Sequence, residues 1–188
     1  MYELYQSTSG SRGSMAEVWI NRESKLVKKF YKPDGCTITG NPPRHTDLDE
    51  IKFLYETEIF WSTKLQSKYT VRMLDHGEIQ KEPGWFIVQD WHGSDLLPYF
   101  HPNTRLYHII PDADKQIEEM FEFWKSNGVY KINNAMANMT MHNGRILAFD
   151  FKYAEHRADN RMHLEQASIQ KWVSKIEPSL VDRLERLL

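Results

Sequence analysis

One cysteine, Cys36, stands in 188 residues. It cannot close an internal disulfide, and no thiolate zinc site or Cys-x-x-Cys redox motif can be assembled from it, so it reads as an inert loop thiol. The eight histidines never fall into His-x-x-x-His or HExxH spacing, which leaves a metal hydrolase without support. No apolar run approaches the roughly 18 residues of a membrane span, and the opening "MYELYQSTSGSRGS" lacks the charged-then-apolar layout of a secretory signal. Excess positive charge is missing as well: a net charge of -2 supplies no overall field to draw nucleic acid or anionic lipid. Internal repeats and low-complexity tracts are also absent. The expectation is a soluble, cytoplasmic protein with neither membrane nor nucleic acid as partner.

What is present argues for a folded chain. Hydrophobic residues make up 40% and aromatics 13%, enough for one well-cored domain or two small lobes sharing a cleft. "MYELYQ" alternates, "STSGSRGSM" is a small-residue loop, and "AEVWI" and "KLVKKFY" are strands joined by the turn "NRES", which together predict a β-meander. The Pro- and Gly-rich "KPDGCTITGNPPRHT" predicts a long surface loop.

The segment "DLDEIKFLYETEIFWSTKLQS" predicts a helix capped by Thr46 or Asp47, with Ile51, Leu54, Tyr55, Glu58, Trp61, Ser62 and Leu65 on one face. Glu58 is the anomaly of that face. An ionised carboxylate turned to a core needs a partner, and a lysine of the meander is the natural candidate; an edge position from which the carboxylate reaches water is the alternative. "TVRMLDHGEIQ" and "GWFIVQDW" follow as strands around the turn "KEPG". "DADKQIEEMFEFWKSNG" is a second helix, with Asp112 as its cap, Gly128 as its stop and Ile117, Met120, Phe121 and Trp124 as its apolar side. From Met162 onward the pattern is helical, with apolar stripes at Ile169, Trp172, Val173 and Ile176 and again at Leu180, Val181, Leu184 and Leu187. The fold class is α+β.

In "NMTMHNGRILAFD" the pair Asn143-Gly144 suits a two-residue type I′ turn, so His142 faces Arg145 and Met141 faces Ile146. Counting outward sets Asn138 against Phe149, with Asp150 one step diagonal. An amide oxygen and a carboxylate thus meet at the open end of a hairpin. Such a pair suits a hard cation such as Mg²⁺, whose remaining ligands are waters and phosphates; a plain surface hairpin is the alternative.

"KINNAMAN" followed by this hairpin and "DFK" resembles the catalytic loop "HRDxxxxN" and the "DFG" of the protein-kinase superfamily. "SRGSMAEV", Ser11 to Val18, is similar to the glycine-rich loop, retaining Gly13 and Val18. "KLVKKF" resembles the lysine-bearing strand, "EIFWSTKLQSKYTVRMLDHGE" the helix and strand after it, and "WFIVQDWHGSDL" the hinge, with Gln89 at the gatekeeper position. The resemblance spans roughly residues 1 to 154. It implies a two-lobed kinase-like fold, with an antiparallel N-lobe over residues 1–92 and a strongly reduced helical C-lobe over 93–188.

For ligands the resemblance implies ATP and Mg²⁺. Lys28 would grip the phosphates with Glu58 as its ion-pair partner, while Lys29 points the other way on an alternating strand. Gly13, Ser14 and Val18 would cover the nucleotide, Leu26 would lie over the adenine, and Asp90 and Trp91 would supply hinge backbone. Asn138 and Asp150 would hold metal.

The departures concern catalysis. The base position, five residues before Asn138, is Asn133 rather than aspartate. Lys131-Ile132 replaces the His-Arg pair, and Lys152 replaces the glycine of "DFG". An amide cannot accept a substrate proton as a carboxylate does. Lys131 or Lys152 is available to stabilise phosphate charge, unless it is an ordinary surface lysine. With 34 residues after Ala154 and no "APE", a standard activation segment is not expected. Three functions follow: weak or atypical phosphoryl transfer to an unknown protein or small molecule, a pseudokinase scaffold, or nucleotidyl transfer from a kinase fold.

Overall fold

The computed structural model describes residues 1–5, 16–33, 47–93, 96, 108–131, 138–152 and 155–156. Segments rich in β-branched and aromatic side chains favour extended backbone. Such segments form β2 (Glu17–Asn21), β3 (Leu26–Tyr31) and β5 (Trp85–Asp90), while β1 (Glu3–Leu4) and β4 (Met73–Glu78), which hold no such residues, pair along β2 and β5. These make one antiparallel sheet in the order β1-β2-β3-β5-β4. The expected meander is its first half, and β3 is its central strand.

Helix α1 (Leu48–Lys64) starts where the Asp47 carboxylate accepts the backbone N–H groups of Asp49 and Glu50 at 2.8 and 3.0 Å. That satisfies two of the donors a helix leaves open at its start. All seven residues expected on its inner face are buried, Glu58 included. Ile51 and Tyr55 pack with Tyr31 and Ile87 of the sheet. Tyr55 stacks on Trp85 with 5.8 Å between ring centres and meets Tyr31 edge-on at 6.0 Å. Burying each such side chain contributes roughly 1.5–3 kcal/mol, and this packing fixes α1 across the face of β3.

Helix α2 (Ala113–Ser126) buries Ile117, Met120, Phe121 and Trp124 as its spacing predicts. Gly128 ends it at φ 75°, its N–H donating to the Lys125 carbonyl at 3.0 Å, a left-handed stop that glycine takes without steric cost. Asp112 holds the cap position but corrects the expected role. Its carboxylate accepts from the Gln116 side chain at 2.9 Å, not from a backbone N–H of the first turn.

Strands β6 (Val129–Lys131), β7 (Met139–His142), β8 (Arg145–Ala148) and β9 (Glu155–His156) complete the described elements. The β7-β8 register is the expected one, from His142 opposite Arg145 to Met139 opposite Ala148, around Asn143 at φ 50° and Gly144 at φ 75°. β6 pairs with β9, setting Val129 opposite His156 and Lys131 opposite Glu155. The predicted loop over 32–46, beyond its first two residues, and the helical stretch from Met162 lie outside the described residues. No helix among the described residues is long and apolar enough to cross a membrane.

Ile87 is fully buried at the centre of the sheet, whereas Phe53 on α1 is 66% exposed. Ile87→Ala is expected to cost about 2–5 kcal/mol through lost burial and the cavity left behind. Phe53→Ala is expected to stay within about 0.5 kcal/mol. Urea midpoints at unchanged m-value check both.

Candidate functional site

Two adjacent lysines on β3 cannot both enter the fold, because side chains alternate along a strand. Tyr31 is fully buried beneath α1, and the period of two carries Lys29 to the same side. Lys29 is itself buried, and its Nζ lies 3.3 Å from Glu58 Oε1. Lys28 emerges on the opposite face, its Nζ 4.1 Å from the centre of the Phe86 ring and 5.1 Å from that of Phe30. The expected Lys28-Glu58 pair is therefore corrected to Lys29-Glu58. Leu26 moves with Lys28, since the two are two residues apart. Val27, opposite Gln89, and Val18, opposite Lys29, share the Lys29 face instead.

The second carboxylate comes from the end of the β7-β8 hairpin. Asp150 takes a left-handed backbone, φ 70°, which aspartate tolerates better than most residues. Its Oδ1 lies 3.8 Å from Lys29 Nζ and also accepts from the ammonium of Lys152. Lys152 is buried, and Phe151 between them is fully buried, edge-on to Trp124 at 6.4 Å. The Phe149 N–H donates to the Asn138 carbonyl at 2.9 Å, so Asn138 faces Phe149 as the turn count predicts and flanks Asp150.

Three sets of bonds hold the hairpin in place. Ala148 donates to the Tyr69 carbonyl at 2.8 Å and accepts from the Val71 N–H at 2.9 Å, tying β8 to the segment that follows α1. Leu96 N–H donates to the Met139 carbonyl at 2.8 Å. From α2, Gln116 Nε2 donates to the Gly144 carbonyl at 3.0 Å, and Gln116 Oε1 accepts the Ile146 N–H at 2.9 Å. Gln116 thus satisfies both turn-end backbone groups from a nearly dry position, a role that its place on the helix face does not announce.

Gln89, expected at the gatekeeper position, is buried on the Lys29 face, and its Nε2 has no hydrogen-bond partner among the described residues. The N–H groups of Asp90 and Trp91 are committed within the fold, to the carbonyls of Arg72 at 3.0 Å and Lys25 at 2.9 Å. The Asp90 side chain takes a two-point contact from Arg72 at 3.0 and 3.3 Å. Gly13, Ser14 and Asn133 lie outside the described residues, as does the Lys131 side chain, although Lys131 backbone belongs to β6.

Burial sets the electrostatics. It pulls the Lys29 ammonium down, but Glu58 and Asp150 outweigh it and the net shift is upward. Burial pushes the Glu58 carboxyl up, only partly offset by Lys29. Burial also pushes Asp150 up, but Lys152 and Lys29 more than reverse this and hold it below the ordinary carboxylate range. Glu58 Oε2 has no hydrogen-bond partner among the described residues, leaving acceptor capacity in the centre of the cluster. The same residues contain no group of three His, Cys, Asp or Glu side chains suited to a metal. The donor chemistry at Asp150 and Asn138 fits Mg²⁺ that takes most of its shell from phosphates and water.

No protein-family model and no curated protein matches the chain. Among solved structures, the crystal structure of WbdD superposes with a TM-score of 0.62 at 14% identity, covering 100% of this chain and 45% of that one. A co-crystal structure of WbdD with the kinase inhibitor LY294002 gives 0.62 at 14% identity, covering 94% and 44%. The likeness is one of fold, and this chain spans less than half the length of those chains.

Lys29→Met strands a buried carboxylate and is expected to cost about 3–5 kcal/mol. Combining it with Glu58→Leu should recover most of that loss, whereas Lys28→Met should forfeit only a surface cation–π contact of about 0.5–1 kcal/mol. Urea unfolding of the four proteins tests the pairing. A carboxyl NMR titration tests the electrostatics. Asp150, depressed in the fold, contributes stability that is complete above its unfolded pKa and is lost as pH falls through its lower folded value. Glu58, raised in the fold, has the opposite sign and gains a proton first. On acidification Glu58 should titrate above the ordinary carboxylate range and Asp150 below it; the reverse order would exclude the cluster as described.

Proposed function

We propose that this chain is a kinase-like protein that binds ATP with Mg²⁺ in a two-lobed fold divided near residue 92, and that its phosphoryl transfer is slow or atypical because Asn133 stands at the base position. The observation that carries the reading is Lys29, a buried ammonium 3.3 Å from Glu58 on α1 and 3.8 Å from Asp150 beyond β8. A lysine gripped by a helix carboxylate beside a metal-binding aspartate is the arrangement that phosphoryl-transfer sites use to hold a polyphosphate. The fold shared with WbdD, which has been crystallised with a kinase inhibitor, supports the same reading.

In this assignment Lys29, not Lys28, contacts the phosphates, and Glu58 fixes its position. Val18 and Val27 line the same sheet face beside the nucleotide, and Asp150 with Asn138 holds the metal. Bound Mg²⁺ would neutralise phosphate charge as it transfers. Asn133, as an amide, can orient a substrate hydroxyl but cannot take its proton, and that missing general base accounts for slow turnover.

Thermal-shift titration with ATP and Mg²⁺ tests binding. Wild type should gain about 2.7 kcal/mol when ligand stands a hundredfold above its Kd. Lys28→Met should keep that gain, while Lys29→Met and Asp150→Ala should lose it, each compared with its own ligand-free form. Absence of a shift in wild type overturns the proposal. For turnover, γ-labelled ATP with wild type and Asn133→Asp should reveal a gain of about a hundred- to ten-thousandfold if the base limits the rate. ATP binding without label transfer in either protein would favour a scaffold, and label transferred only from α-labelled ATP would favour nucleotidyl transfer.

A further inference from the structure

Lys152 stands where the resembling motif carries glycine, and its presence changes the charge at the site. Its ammonium bonds Asp150 Oδ1, the same oxygen that Lys29 approaches at 3.8 Å. Its residue is 8% exposed, and Phe151, directly before it, is pinned against α2. Two lysines, Lys29 and Lys152, and two carboxylates, Glu58 and Asp150, thus meet in one cluster.

Desolvating an ammonium costs several kcal/mol, so a lysine is a costly replacement for glycine unless a negative partner is always at hand. Asp150 is that partner before any ligand arrives. A polyphosphate entering beside Lys29 would then meet a second ammonium already in place, next to the carboxylate assigned to the metal. A bare divalent cation would instead be repelled by both lysines.

Resting on the nucleotide-binding reading above, we propose that Lys152 is a resident cation of the phosphate site, contacting the polyphosphate directly and allowing a nucleotide to bind without Mg²⁺.

Calorimetric Kd values for ATP, measured in excess EDTA and in saturating Mg²⁺, test this on the full chain. Wild type should bind in both conditions with constants within about tenfold of each other. Lys152→Met should weaken binding in EDTA by about tenfold or more, the loss expected for one hydrogen bond to a charged group, and should weaken it clearly less in Mg²⁺, where the metal supplies part of the neutralising charge. Lys152→Arg, which keeps the charge, should restore most of the EDTA affinity. Wild type that binds ATP only with Mg²⁺ would overturn the inference and leave the proposed function standing. Equal weakening of Lys152→Met in both conditions would also overturn it, marking Lys152 as a structural partner of Asp150. No ATP binding in either condition would overturn both readings. Because the wild-type comparison is decisive by itself, the test survives a variant that fails to fold.

Discussion

Ionised groups removed from water must be matched by ionised groups, and the structure around the site follows from that requirement. Glu58 has no exposed surface, and Lys29 has almost none. Each is tenable only while the other is within reach, so α1 must lie across β3 at the register that brings them to 3.3 Å. The aromatic contacts of Tyr55 with Tyr31 and Trp85 place the helix there through packing that needs no charges. A buried ion pair is usually a poor route to stability, since an apolar pair of similar volume often does as well or better. A pair held inside packing that could stand without it is better explained by a demand for charge at that point.

The same demand reaches the hairpin. Asp150 is drawn to Lys29 and Lys152, but its position is decided by backbone bonds further off. Ala148 is fixed to Tyr69 and Val71, and the turn is fixed to α2 through Gln116. The sheet supplies one lysine, α1 a carboxylate, and the chain after β8 a carboxylate with a second lysine. Each arrives on a different element, and rigid bonds between those elements replace the adjustable contacts that flexible loops would provide. Such preorganisation is what a charge-stabilising site requires.

Legibility in the sequence followed the length of the pattern. α1 was readable because its face repeats over four turns, and because Asp47 is followed by acidic residues in the first turn. The hairpin was readable because Asn143-Gly144 fixes a register that then propagates by counting. The choice between Lys28 and Lys29 was not readable from "KLVKKFY", since a one-residue slip exchanges every side chain between faces and two adjacent lysines followed by two adjacent aromatics satisfy either phase. Tyr31 breaks the tie by burying completely, a fact of tertiary packing. The β6-β9 pair escaped notice for a related reason: strands of three and two residues carry no period. The two jobs of Gln116 were equally hidden, because a polar residue on a helix face gives no sign of which backbone it will satisfy.

Binding and turnover place separate demands on such a site, and under the proposed function this chain would meet them unequally. Holding a polyphosphate requires positive charge arranged in advance, which Lys29 and Lys152 supply from buried positions balanced by Glu58 and Asp150. Accepting a proton requires a basic group at the attacking oxygen, and in the proposed assignment Asn133 would offer only an amide there. Under the proposed function, the two departures from the motif that the sequence resembles would act in opposite directions. Lys152 in the place of the motif's glycine would add a cation where phosphate charge gathers, and Asn133 in the place of its aspartate would leave the nucleophile without a base. Each buried lysine of the cluster has a carboxylate within reach. That arrangement is the ground for the proposed reading, in which a ligand would be held through its phosphates and chemistry on it would be the slower part.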